Sequence, residues 1–206
     1  MLKKIGILAF LLIGTAASAD NTVRHAKIFY SGDMKISSVS ELTKAIDDAN
    51  ANDHVDRINI YINSYGGDMD SGLMAAAAIR SSKKTVTTVA MTTVGSSATL
   101  MLCAAKDRRA LREASIYLHP SFIEYKGELR PDTLKQLVKE NERFNNVFKT
   151  AYKKCTSLDS QKINDILYSE SNKVTFTPQE AIKVGLISAI DEKIIDTPET
   201  YYITAD

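Results

Sequence analysis

Three short stretches carry residue types that together can transfer an acyl group. Asn63-Ser64-Tyr65-Gly66-Gly67 closes an apolar run, Ile58-Asn59-Ile60-Tyr61-Ile62. Gly95-Ser96-Ser97-Ala98 sets a serine pair among small residues, and Ile116-Tyr117-Leu118-His119-Pro120 ends an apolar segment on a histidine. In that order they supply an oxyanion site, a nucleophile and a base. A serine hydroxyl is a poor nucleophile until a base within hydrogen-bond reach takes its proton. The chain has 3 histidines, so the search for that base is short. His25 lies among polar residues, and His54 sits in the turn-like Asn52-Asp53-His54. Only His119 ends a buried-type strand, where packing can hold an imidazole rigidly at a site. A hydrogen-bonded core histidine is the competing reading of that position.

Ser96 and Ser97 compete as nucleophile. Both follow Gly95 at a strand-to-helix transition, where helix N-terminal amides favour negative charge. Helix capping by one serine and small-residue packing by the other is the plainer alternative. Val94-Gly95-Ser96-Ser97-Ala98 lacks the first glycine of the α/β-hydrolase elbow. Gly66 and Gly67 could turn backbone N–H groups toward a developing oxyanion. Paired glycines after a strand are also ordinary turn punctuation.

These stretches need a scaffold, and the sequence suggests one. Lys27 to Tyr30 reads as a first strand. Ser40 is placed to cap a helix from Glu41, with Leu42, Ala45, Ile46 and Ala49 on one face. Arg57 to Ile62 reads as a buried, β-branched strand. A helix follows, with Asp68 and Asp70 near its positive end, running to about Ser81. Lys84 to Met91 is strand-like, residues 96–105 read as a small-to-apolar helix, and Ser115 to Leu118 as a short strand. This β, α, β, α, β order predicts parallel pairing with helical crossovers. Pro131 opens a long amphipathic helix to about Thr156, with Leu134, Leu137, Val138, Phe144, Phe148, Tyr152 and Cys155 near one stripe. That stripe suits packing on its own domain or contact with another subunit. A helix from Ser160 to about Tyr168, a strand from Lys173 to Phe176, a helix from Pro178 to Lys183 and a closing strand from Ile187 to Ile195 complete the chain.

The start of the chain has a different character. Met1-Leu2-Lys3-Lys4 precedes an apolar stretch from Ile5 to Gly14, then Ala17-Ser18-Ala19. A basic region, a short apolar region and small residues read as a secretory signal peptide, too short to span a bilayer. Residues 20–206 then form a single domain, outside the cytoplasm, with a bacterial periplasm the best fit. The 26 basic and 25 acidic side chains nearly balance, which argues against nucleic acid as a main partner. Export makes a bridge between Cys103 and Cys155 possible, though two unpaired core thiols fit the sequence as well. No cofactor or metal site is suggested.

From Ile58 to Pro120 the sequence resembles the Clp protease proteolytic subunit family. That family shows an apolar strand running into Asn-Ser-Pro-Gly-Gly, a helix, another strand, Ala-Ser at a helix start, and a strand ending in His. Asn63-Ser64-Tyr65-Gly66-Gly67 is similar to the first block, with Tyr65 in place of proline. Thr88 to Leu102 aligns without a gap and places Ser96 on the nucleophile. Arg108 to His119 does the same for the base. Phe176 to Ala181, with Gly185-Leu186-Ile187, resembles the family's closing segment. The resemblance implies an α/β fold, a ClpP/crotonase-like core of repeated ββα units with residues 131–156 as a projecting helix. It implies a serine endopeptidase, with Gly67 and Ser97 N–H groups as the oxyanion hole, and homo-oligomers. The family's aspartate aligns with Lys173, which cannot accept a proton from an imidazole. Asn172 is slightly favoured as the third member, Glu170 is the alternative, and a Ser96–His119 dyad remains open. Export removes the ATP supply, so no ATP-driven unfoldase is expected, and the substrates would be peptides or unfolded proteins. Two other readings share the same features, a catalytically inactive peptide-binding scaffold and a crotonase-like acyl-CoA enzyme. N-terminal sequencing of the protein recovered from an exporting cell is expected to start at Asp20.

Overall fold

The computed structural model describes residues 23–205. The expected leader, residues 1–19, lies outside them. A sheet of eight strands forms the centre, in the order β6 (Val174–Phe176), β5 (Ser115–Leu118), β3 (Thr85–Gly95), β2 (Arg57–Ser64), β1 (His25–Gly32) and β8 (Thr200–Ala205), with β4 (Asp107–Leu111) pairing with β3 and with β7 (Ala189–Asp191). The middle strands are β1 (His25–Gly32), β2 (Arg57–Ser64) and β3 (Thr85–Gly95), all parallel. Ile58, Ile60, Tyr61 and Ile62 of β2 are fully buried. Burial on both faces is what a continuous apolar run predicts for a parallel strand under helices. The crossovers are α1 (Ile36–Ala51) and α2 (Met69–Ser81).

Helix α1 begins five residues earlier than the apolar stripe suggests. Its first residue, Ile36, is 69% exposed, so it carries no periodic signal. Ser40 therefore lies inside the helix and donates to the Ile36 carbonyl at 2.7 Å instead of capping. Helix α2 starts as expected, with the Asp68 carboxylate accepting from the Ser71 N–H at 2.7 Å. Beyond β3, α3 (Ala98–Leu102) is only five residues long.

Two strands escape a sequence reading. β4 (Asp107–Leu111) looks like a charged connection, yet it pairs with β3. Its arginines are consumed locally. Arg109 is bidentate to Asp191 of β7 (Ala189–Asp191), and Arg108 donates to the carbonyls of Leu186 and Gly185. The expected closing strand shrinks to β7, and a later strand, β8 (Thr200–Ala205), pairs with β1 at the sheet edge. β5 (Ser115–Leu118) lies beside β3, and β6 (Val174–Phe176) joins it as the antiparallel edge.

Helix α4 (Pro131–Cys155) divides into two regimes. Phe144, Phe148, Tyr152 and Cys155 are buried against the domain, at the spacing of one helical face. Leu134 and Val138, in the first half, are each 49% exposed. Helix α5 (Ser160–Ile166) and α6 (Pro178–Lys183) follow. Cys103, at the end of α3, is bridged to Cys155, at the end of α4, with their Cα atoms 5.5 Å apart. The bridge resolves the choice that the sequence leaves open. It spans 52 residues of sequence, and closing a loop of that length stabilises a fold by roughly 4 kcal/mol in the chain-entropy account. Guanidinium unfolding with and without a reductant is expected to show a loss of about that size, ~3–4 kcal/mol.

Candidate active site

The three chemistry-bearing stretches meet because of strand register. In the parallel pair β3–β5, Gly95 lies opposite Tyr117, and in β2–β3, Ser64 lies opposite Val94. The residues just past each strand therefore emerge at one edge. They are Tyr65-Gly66-Gly67, Ser96-Ser97 and His119. Carboxyl ends of parallel strands are where α/β proteins place their ligands.

Ser96 sits on a strained turn. Its φ is +52°, and it is the sole non-glycine with positive φ among the described residues. A β-carbon in that region meets the following carbonyl, at a cost of about 1–2 kcal/mol. Ser97 leads into α3 with ordinary helical geometry. The turn swings the Ser96 side chain up beside Gly66, where an added β-carbon would lie 2.4 Å from the Ser96 Cβ and 3.1 Å from its Oγ. Gly66 and Gly67 themselves have φ of +106° and +139°. Here the glycine pair answers a real requirement, for conformation and for space.

The Gly67 backbone is held by Met34. The Met34 N–H donates to the Gly66 carbonyl at 2.7 Å, and the Asp68 N–H donates to the Met34 carbonyl at 2.9 Å. Met34 thus bonds the residues on either side of Gly67 and leaves the Gly67 groups facing the other way. On that side the Gly67 carbonyl accepts from Ser97 Oγ at 3.1 Å. Among the described residues, neither the Gly67 nor the Ser97 N–H has an acceptor.

His119 is 5% exposed. Its Nδ1 lies 2.7 Å from Glu170 Oε2, and its Nε2 is buried without a hydrogen-bond partner. A carboxylate only accepts, so Nδ1 carries the proton and a neutral ring keeps its lone pair on Nε2. The expected Asn172 does not face the imidazole. Its Nδ2 donates to the Asp165 carbonyl at 2.7 Å, which fastens the segment to α5. The reason is local. Glu170–Asn172 form a single 3-10 turn, with Ser169 Oγ accepting from the Ser171 N–H. Successive side chains in such a turn point about 120° apart, so Glu170 and Asn172 point to different sides. Lys173, on the aligned aspartate position, places Nζ 3.8 Å from Glu170 Oε1 and 4.2 Å above the Tyr117 ring.

The other two histidines lie elsewhere. His25 Nδ1 meets Asn59 Nδ2 at 2.7 Å, and burial beside Arg57 lowers its pKa. His54 is exposed beside Arg24.

A sequence profile of the Clp protease family matches residues 15–194. The chain belongs to the Clp protease family. It is a Clp-type peptidase, a hydrolase. Its fold is similar to that of a point mutant of ClpP1 from Listeria monocytogenes, with a TM-score of 0.63 and 22% identity over 81% of this chain and 91% of that one. At that identity the likeness speaks for the fold, the α/β architecture expected of a Clp protease.

One structural residue of this Clp-type site escaped the motif reading. Tyr117, on β5, lies two residues before His119, with their ring centroids 5.4 Å apart, and its ring rests directly on Gly95. A β-carbon at Gly95 would fall 1.9 Å from that ring. Its hydroxyl donates to the Tyr65 carbonyl at 2.6 Å. Burial raises the Tyr117 pKa, and the nearby Glu170 carboxylate adds to the effect, so the phenol stays a donor. The period-two spacing from His119 was the available signal. Gly95→Ala is expected to displace the ring, costing about 2–3 kcal/mol or more in a denaturant titration, whereas Gly127→Ala, on an exposed loop, should cost less.

Proposed function

We propose that this protein is an exported serine endopeptidase that hydrolyses peptide bonds without ATP, using Ser96, His119 and Glu170. The observation that carries the reading is the pairing of a buried imidazole, bonded through Nδ1 to a carboxylate, with a serine held on a left-handed turn. Strained conformations of this sort persist where function demands them. Ser96 Oγ attacks the scissile carbonyl, and His119 Nε2 takes its proton. Glu170 stabilises the imidazolium, and the Gly67 and Ser97 N–H groups receive the oxyanion. His119 then protonates the departing amine, and a water molecule repeats the sequence to release the acyl group. A carboxylate at Nδ1 supplies charge as well as orientation, which Asn172 would not.

Export is supported by the leader-like start of the chain and by the Cys103–Cys155 bridge, since such bridges are rare in reducing compartments. Substrates would be short peptides or unfolded and flexible segments of other exported proteins. Tyr65 and Phe122 flank the site with large exposed rings, 70% and 65% accessible, which suits apolar side chains. A periplasm without ATP leaves no role for a driven unfoldase. The exposed apolar half of α4 suits homo-oligomer contact, as does membership of this family.

One observation favours the scaffold alternative. His119 Nε2 has no bond to Ser96 Oγ. Such contacts often tighten only with substrate bound, and a covalent probe distinguishes the two readings. A fluorophosphonate is expected to label the mature protein and Ser97→Ala, but not Ser96→Ala or His119→Ala. Labelling that survives in Ser96→Ala and vanishes in Ser97→Ala would reverse the nucleophile, and an unlabelled wild type would favour the scaffold. Glu170→Gln is expected to lower peptide turnover about 10²–10⁴-fold, with Asn172→Ala close to wild type.

A further inference from the structure

We propose that Lys173 is a positioning residue for the histidine–carboxylate pair, fixing Glu170 against His119 from outside the reacting atoms. This rests on the reading of Ser96, His119 and Glu170 given above. The problem it addresses is visible in the burial. The His119 side chain is 6% exposed, whereas that of Glu170 is 62% exposed. An exposed glutamate has several rotamers, and a single bond to an imidazole holds it poorly.

Lys173 supplies the missing restraint from two directions. Its ammonium lies 3.8 Å from Glu170 Oε1, the oxygen that does not face His119. The same ammonium lies 4.2 Å above the Tyr117 ring. An exposed ion pair alone is weak, but a cation over an aromatic face has a fixed place to sit. That ring is itself held at two points, packed on Gly95 and bonded through its hydroxyl to the Tyr65 carbonyl. The Lys173 N–H donates to the Glu170 carbonyl at 3.1 Å, closing the turn that carries both side chains. On the far side of the turn, Asn172 is fastened to Asp165. The carboxylate is therefore held between His119 and Lys173, and Lys173 is braced on Tyr117. The residue that replaces the expected aspartate thus serves its substitute, three positions earlier in the chain.

The test compares Lys173→Met, which keeps an apolar stem, with Lys173→Arg, which keeps the charge. The first readout is the downfield imidazole Nδ1–H resonance of His119, assigned by its loss in Glu170→Gln. Wild type and Lys173→Arg are expected to show it. Lys173→Met is expected to lose or broaden it, with a melting temperature unchanged. The second readout is hydrolysis of a short peptide. For Lys173→Met, kcat is expected to fall about tenfold with KM within about twofold, the scale of a small misplacement of a catalytic group. Recovery of most of kcat in Lys173→Arg supports the proposal. A sharp wild-type resonance in Lys173→Met overturns it, as does a kcat loss that arginine does not restore. Absence of the resonance in wild type also overturns it. A wild type that shows the resonance, loses it in Lys173→Met and cleaves nothing would leave the positioning role standing and remove the serine-endopeptidase reading proposed above.

Discussion

The close approach of Tyr117 to Gly95 is the contact on which the site depends. Strand register alone brings the ends of β2, β3 and β5 together. It does not set how far apart the emerging residues lie. Because Gly95 has no side chain, an aromatic ring lies directly against the backbone just before Ser96. The same ring reaches the glycine loop through its hydroxyl and receives Lys173 on its face. One side chain thus relates the glycine loop, the serine turn and the carboxylate turn. His119 meets that ring edge-on, with centroids 5.4 Å apart.

A second brace comes from beneath. Thr99 Oγ1 donates to the Ser96 carbonyl at 2.6 Å and lies 2.9 Å from the Tyr152 hydroxyl. Tyr152 is completely buried, and burial pushes its phenol far above the usual range, so it acts only as a neutral hydrogen-bonding group. Through Tyr152 the inner half of α4 supports the turn under Ser96, and the bridge from Cys103 to Cys155 fixes the same two helices one turn further on. The chain after His119 is drawn to α4 as well, by Ser121 bonding to Asn141 and Asn145. A helix readable as a mere projection is thus, over its second half, part of the floor of the site.

Much of this was legible in the residues. Ile58 to Ile62 could only be a buried strand, and Pro131 to Cys155 kept its period across seven turns. Gly66, Gly67, Ser96 and His119 carried distinctive chemistry in a distinctive order. What escaped shares a physical cause. β4 and β8 are held by neighbours distant in sequence, and nothing local to Arg109 points to its partner Asp191. Ile36 opened α1 while pointing into water. Which side chain meets His119 Nδ1 depended on the direction of side chains around one tight turn, and no spacing rule reports that. Glu170 and Asn172 both carry an oxygen that can accept from an imidazole, so the geometry of the turn decides between them, and the aligned Lys173 drew attention to the position without revealing which neighbour meets the ring.

The left-handed turn at Ser96 has a consequence for how such a chain is maintained. At that position glycine would fit without strain, so the backbone on its own favours a residue with no hydroxyl. The fold holds serine there against its own preference. A chain that mutated Ser96 to glycine would shed the strain of that turn and, on the role proposed for it, the reacting hydroxyl as well. For the proposed nucleophile, backbone comfort and chemical competence are therefore opposed at a single residue. The braces from Tyr117 and Thr99 are what let the domain carry the less comfortable choice.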